Sequence, residues 1–398
     1  MGFKIDKNIC KFNIALFLRS MLLLSPVTLL FYQENGLTVR DLFFFQGIFY
    51  LTSIVSEIPV GYLSDTISRK KLLITSFLIF IGFYTLWLFF HGYYVILTGE
   101  ILFAISKVMM DNAMSGYLYD YLSYKDNKKA MVKYYGYLNF YLSLATALAG
   151  LIGTYVYSNF GGGAVLSSEI ILVTISILFV ISLPSIKCPD GVSEKISNKI
   201  KKFIIDAKLI ARNISLKYYI YYSGLLTSCS ILFALSFQPL MQNALFPIFL
   251  FGVVACLNHS VRAIAGIVAG RCNFEIKKLV VPLFVLYVLA FLCIFKILVL
   301  SNITVIFILF LFICVVIGVQ VIFTILHVSR IHKFVSIKRR GTLMAINNFV
   351  SRALTACVLI CSRLFIGKLG FASFFVIAFI FFIIFSSYLI IRIVRLKE

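Results

Sequence analysis

Glu100, Lys107 and Asp111 interrupt one long apolar run at spacings of seven and four residues. On a helix that spacing lays all three along one face, with Lys107 and Asp111 one turn apart and able to pair. Charge is costly inside a hydrocarbon layer, so ionisable groups placed there are candidates for function by default. A Lys–Asp pair in such surroundings either locks the structure or exchanges partners as protons and solutes come and go. Arg19 lies midway along the first apolar run and Glu57 late in the second, which leaves a structural pair between them open. Asn258, His259 and Arg262 put a polar face on a later run. There His259 is either a proton carrier or a satisfied polar side chain. Arg262 pairs across the two halves of the chain, binds an anionic group of a solute, or faces a wet vestibule. Arg352, with Asn347 and Asn348 one turn earlier, repeats the pattern. Beyond Asp206 the only acids are Glu275 and Glu398, so a proton-carrying carboxylate belongs to the first half. Its candidates are Glu57, Glu100 and Asp111, with Asp120 at the edge. Acid on one half and cation on the other would suit a zwitterionic or amphipathic small molecule.

Groups of this kind need elements that hold them in an apolar solvent. The chain has 398 residues, 61% hydrophobic and 13% charged, with a mean hydropathy of +1.01. That excludes a water-soluble globule and makes lipid the solvent. A helix needs roughly 20 apolar residues to cross the hydrocarbon core. Apolar runs give twelve spans, near 9–32, 40–63, 72–91, 94–118, 134–158, 165–186, 218–240, 245–269, 279–298, 302–327, 342–366 and 370–392. The runs lack the alternation of barrel strands, so an all-α integral membrane protein follows. A hydrophilic interruption at 187–217 divides the spans six and six: residues 1–186, a basic linker, and 218–398. Within it, 194–211 reads either as an amphipathic surface helix with Ile196, Ile200, Phe203, Ile204 and Ile210 toward lipid, or as a solvated linker.

The net charge of +22 does not point to nucleic acid, because its distribution follows the membrane. Most of the 37 Lys and Arg residues lie at the amino terminus, in the 2–3, 4–5, central, 8–9 and 10–11 connections, and in the carboxyl tail. Arg40, Lys296 and Lys368 are nearly all that the opposite connections carry. By the positive-inside rule both termini are expected in the cytoplasm. The nine cysteines show no metal or disulfide spacing and read as small buried apolar residues; no cofactor and no metal is expected. The first run follows Lys4, Lys7 and Lys11 but is too long for a signal segment and contains Arg19, so it is expected to be a retained helix.

Between the second and third runs stands Gly61-Tyr62-Leu63-Ser64-Asp65-Thr66-Ile67-Ser68-Arg69-Lys70-Lys71. It resembles the signature loop of the major facilitator superfamily through Gly61, Asp65, Arg69 and Lys70, and departs from it at Thr66 and Ser68. Glu57-Ile58-Pro59-Val60-Gly61 through Asp65 is similar to the "EIPxGxxxD" form of one bacterial branch, and Tyr117-Leu118-Tyr119-Asp120-Tyr121-Leu122 to its "LLYDSL" segment. Arg339-Arg340-Gly341-Thr342-Leu343-Met344-Ala345 resembles the branch's entry to helix 11. Ser68-Arg69-Lys70-Lys71-Leu72-Leu73 is weakly echoed by Glu275-Ile276-Lys277-Lys278-Leu279-Val280, as in a duplicated six-helix unit.

The resemblance implies the superfamily fold, two pseudo-symmetric six-helix bundles, acting as a monomer in the bacterial cytoplasmic membrane. It implies that Asp65, oriented by Arg69, docks on the start of helix 11 near Thr342 and closes the cytoplasmic side, a helix amino terminus being partly positive. It further implies a secondary transporter of the solute-efflux type: proton-coupled export of a small amphipathic compound. Uptake of a nutrient, peptide or metal chelate by the same machinery is the other reading, left open by Ala149-Gly150-Leu151, where many antiporters of the superfamily carry a Gly-Pro pair. Walker, HExxH and GxSxG motifs are absent from the sequence, and no enzyme is expected.

Overall fold

A computed structural model describes residues 6–125, 131–186, 214–271, 275–300, 302–334 and 340–395. Among the described residues there are twelve α-helices, one 3-10 turn and no strand. The helices are α1 (Lys7–Arg19), α2 (Thr28–Glu34), α3 (Val39–Thr66), α4 (Arg69–Phe89), α5 (Tyr93–Tyr124) and α6 (Met131–Ile181) in the first half of the chain. The second half supplies α7 (Ile214–Asn243), α8 (Ile248–Arg271), α9 (Ile276–Ile297), α10 (Ile303–Phe334), α11 (Arg340–Leu369) and α12 (Phe371–Val394). Ten of these are long and apolar enough to cross a membrane. The connection between α7 and α8 is short, as the spans ending at 240 and starting at 245 imply, and turns through Leu245 at φ 55°.

Two spans differ from the sequence reading in form. The first is no single helix. It stops at Arg19, runs irregularly through Leu24, makes a 3-10 turn at Ser25–Val27 and resumes as α2. Pro26 explains the break, because it donates no backbone hydrogen bond and its ring excludes the carbonyl four residues back. The fifth and sixth spans are one 51-residue stretch, α6, broken at Gly161 (φ 79°, ψ 178°). A stretch of that length far exceeds the bilayer thickness. Gly161 supplies a left-handed conformation that side-chain-bearing residues avoid, and so lets the chain turn back.

The chain divides into two compact units, Met1–Leu37 with Thr52–Ile196, and Thr38–Leu51 with Ser197–Glu398. The core of the first is aromatic: Phe80, Phe83, Tyr84, Trp87 and Phe103 meet at centroid distances of 4.3–5.8 Å in mostly tilted or edge-on pairs. Gly99 lets α5 approach this cluster, since a Cβ there would collide with the Trp87 indole nitrogen. Gly153 does the same for α6 against the irregular segment, where a Cβ would collide with the Leu23 carbonyl oxygen.

In the second unit α7 packs on α11 and α8 on α10. Gly318 of α10 lies flush on Val261 of α8, and Gly224 of α7 on Leu354 and Ser351 of α11. Small residues at such crossings let helices approach closely where lipid offers no hydrophobic drive to association. Phe233, Tyr287, Phe291 and Phe382 meet at its centre, Tyr287 stacked on Phe233 and Phe382, and Phe291 edge-on to Phe233. The first turns of α3 join this unit through Gly47, whose Cβ would sit 2.8 Å from the Ile360 side chain. Beside it, Asp41 accepts from the Thr38 amide (3.0 Å) and hydroxyl (2.7 Å) and lies 3.8 Å from Arg363.

Candidate functional site

The first unit encloses three charged side chains almost completely: Arg19, Glu100 and Glu169, each 1–2% exposed. Arg19 ends α1 where the helix breaks. Its guanidinium lies 3.2 Å from the centroid of the Phe80 ring and donates to the Ser106 hydroxyl at 3.4 Å, which in turn donates to the Ser76 carbonyl at 2.8 Å. An aromatic face and a hydroxyl receive its charge, and the Glu169 carboxylate is near enough to interact with it electrostatically. Glu169, from the second arm of α6, accepts the Leu24 amide at 2.8 Å and bonds the Tyr84 hydroxyl. Backbone freed by a broken helix must find partners inside a membrane, and this carboxylate supplies one. Glu100 accepts a hydrogen bond from Tyr32, itself fully buried on α2.

Lys107 and Asp111 lie further along α5 and meet at 2.5 Å, both half-buried. The face expected for Glu100, Lys107 and Asp111 thus carries two separate contacts: Glu100 is tied to the first span, and the Lys107–Asp111 pair is partly accessible. Glu57 is half-buried on α3.

The second unit presents polar groups along α8 and α11, and Asp41 at the start of α3 is its buried acid among the described residues. His259 and Arg262 lie one turn apart on α8, and Arg262 is near enough to interact electrostatically with His259 and with Tyr287 of α9. Asn258 and Asn347 are buried, and the side-chain oxygen of each has no hydrogen-bond partner among the described residues. Arg352 is half-buried on α11. The sequence reading missed a chain of polar groups here. Tyr287 bonds Ser230 and donates to the Leu226 carbonyl (3.0 Å), while Gln320 of α10 donates to Thr227 (3.0 Å) and Thr324 (2.8 Å). Uncharged polar residues give no alarm in a count of membrane charges, so nothing in the sequence marks them out. Beside them runs an apolar groove of about 340 Å³ lined by Leu225, Cys229, Cys357, Cys361, Phe374 and Phe381.

The signature loop is anchored to its own unit. Lys70 donates to the carbonyls of Ile181 (2.7 Å) and Leu183 (2.6 Å), so it caps the end of α6. Such a cation suits the partly negative end of a helix. Arg69 lies 3.8 Å from Asp120 and over Gly116, where a Cβ would stand 2.7 Å from its Nε. The "LLYDSL"-like segment of α5 therefore receives the loop's arginine. Gly61 has open space around it. The side chains of Asp65, Arg340 and Thr342, which carry the expected latch, lie outside the described residues, as does the segment 194–211.

Residues 12–358 match the family model described as Major Facilitator Superfamily. Among solved structures, a point mutant of the nucleoside transporter NupG superposes with a TM-score of 0.77 at 12% identity, covering 98% of this chain and 100% of that one. NupG itself gives 0.74 at 13% identity, over 98% and 100% of the two chains. A bacterial homologue of the human lysosomal transporter Spinster, inward-facing and unoccupied, gives 0.69 at 12% identity, over 98% of each chain. At these identities the likeness carries the fold and no substrate. No curated relative matches the sequence.

Proposed function

Because this chain belongs to the major facilitator superfamily, we propose that it is a secondary active transporter that exports a small amphipathic compound in exchange for protons. The observation that carries this reading is the half-buried Lys107–Asp111 pair on α5, with buried Glu100 two turns earlier. Protonation of Asp111 would remove the partner of Lys107 and leave an ammonium free for an anionic group of the solute. Glu100, shared with Tyr32, is a second place to hold a proton. His259, Arg262, Asn347 and Arg352 offer polar contacts from the second unit, and the apolar groove of that unit suits the greasy part of an amphipathic molecule. The signature loop, with Gly61, Asp65, Arg69 and Lys70 meeting Arg340 and Thr342, is the cytoplasmic gate in this reading. The distribution of Lys and Arg supports both termini on the cytoplasmic side, and a monomer in a bacterial inner membrane completes the reading.

Inside-out vesicles, energised and then given drugs, nucleosides, peptides and metabolites in turn, provide the test. A compound that is exported should release protons from the lumen on addition, and Asp111→Asn should lower that rate at least about tenfold while inserting normally. An added solute that carries protons with it in the same direction would replace export by uptake. Undiminished proton-driven transport in Asp111→Asn would remove Asp111 from the coupling role.

A further inference from the structure

A second pocket lies in the first unit, far along the sequence from every basic connection. Three chain reversals meet there: the turn after α2, the turn between α4 and α5, and the Gly161 bend in α6. The pocket is an open cleft of about 160 Å³ lined by Phe31, Glu34, Asn35, Trp87, His91 and Leu166, with Glu34 and His91 exposed at its mouth. That is room for about five water molecules.

Its polar groups are set to accept. Tyr157 donates to Glu34 Oε1 at 2.5 Å, which fixes the carboxylate and leaves Oε2 without a hydrogen-bond donor among the described residues. Asn35 donates through Nδ2 to the Phe31 carbonyl (2.9 Å), so its Oδ1 receives His91 Nδ1–H at 3.1 Å. Among the described residues no Lys or Arg pairs with Glu34. Opposite the acceptors stand Phe31 and Trp87, with ring centroids 5.8 Å apart, and two leucines. Gly162 keeps the space open, since a Cβ there would stand 2.7 Å from Glu34 Oε2 and 2.9 Å from the Phe31 ring. The run Gly161-Gly162-Gly163 thus does two things: the first residue makes the bend and the second makes room for the carboxylate.

A carboxylate with no Lys or Arg partner among the described residues, set against aromatic and aliphatic walls, matches a cation with N–H donors and a short apolar body. Such a cation gains from the carboxylate, while the largely buried Phe31 and Trp87 rings give its apolar body a floor. We infer that this pocket is a binding site for a small alkylammonium ion, separate from the Lys107–Asp111 pair and independent of the transport reading.

Trp87 is the only tryptophan in the chain, so intrinsic fluorescence reports on this pocket directly. The purified full-length protein in detergent is titrated with n-butylammonium chloride against sodium chloride at equal ionic strength, with n-butanol as the uncharged comparison. A saturable fluorescence change with n-butylammonium alone is expected. Glu34→Gln should weaken it about fivefold, the upper scale of one accessible ion pair. Gly162→Ala, which fills the space without removing charge, should weaken it as well. The assignment is overturned if n-butylammonium gives no saturation beyond sodium chloride, if n-butanol matches it, or if both variants bind as the native chain does. Saturation by zinc chloride at lower concentration than by n-butylammonium, lost in Glu34→Gln, would make the site a metal site and also overturn it.

Discussion

A buried tyrosine–carboxylate pair is sensitive to the loss of either partner. Tyr32 and Glu100 are both enclosed, and Glu100 has almost no access to water. Removing the hydroxyl in Tyr32→Phe takes a donor from a buried carboxylate, a change that costs about 1–3 kcal/mol. The variant should therefore unfold in detergent at a lower temperature than the native chain. In Glu100→Gln the charge that needed the donor is gone, so Tyr32→Phe added to it should cost measurably less than it does alone. Equal costs in the two backgrounds, read from a double-mutant cycle of thermal unfolding, would show that the pair is not coupled. Glu100 is legible in the sequence as an acid inside an apolar run. Glu169 carries the same signal in Val165-Leu166-Ser167-Ser168-Glu169-Ile170-Ile171, yet no cation or signature residue stands near it in sequence to single it out. Its partners, the Leu24 amide and Tyr84, are brought to it only by packing.

At the scale of elements, the twelve spans follow from length and hydropathy, because the bilayer fixes both. The break in the first span does not follow from either. Pro26 announces it, yet Met21-Leu22-Leu23-Leu24 keeps the run apolar, so a reading by hydropathy passes straight through. The broken backbone is held by α6 from both sides: Glu169 takes the Leu24 amide, and Ser176 donates to the Ala15 carbonyl at 2.6 Å. Gly153 closes the arrangement, since α6 rests there directly on the Leu23 carbonyl. A methyl group in Gly153→Ala has no room and must push α6 off the segment, an overpacking change worth about 1–3 kcal/mol. Gly136→Ala, on the same helix with nothing within 4 Å, serves as the matched comparison and should be neutral or slightly stabilising. Thermal unfolding of the two variants side by side checks this. Equal stability would mean that α6 does not depend on its seat against the broken span.

At the scale of the whole molecule, α3 is a single helix whose first turns belong to one compact unit and whose remainder belongs to the other. The sequence assigns all of α3 to the first half of the chain; the allegiance of its first turns to α11 depends on contacts far apart in sequence. Three contacts hold them: Gly47 on Ile360, Phe43 edge-on to Phe371 at 5.9 Å, and Asp41 at 3.8 Å from Arg363. Arg363 also lies over Phe44, 4.4 Å from the ring centroid, so one guanidinium serves an ion pair and a ring. A partly exposed ion pair is worth up to about 1 kcal/mol, enough to shift a two-state balance about fivefold. Arg363→Gln should therefore raise the fraction of molecules in which the start of α3 has left α11. Spin labels at Val39→Cys and Lys368→Cys, in a background with the native cysteines replaced, measure that separation. The expected result is a distance distribution that gains a longer component in Arg363→Gln and in Asp41→Asn. An unchanged distribution in both would place the hold on α3 in the Gly47 and Phe43 packing, with the ion pair contributing nothing to it.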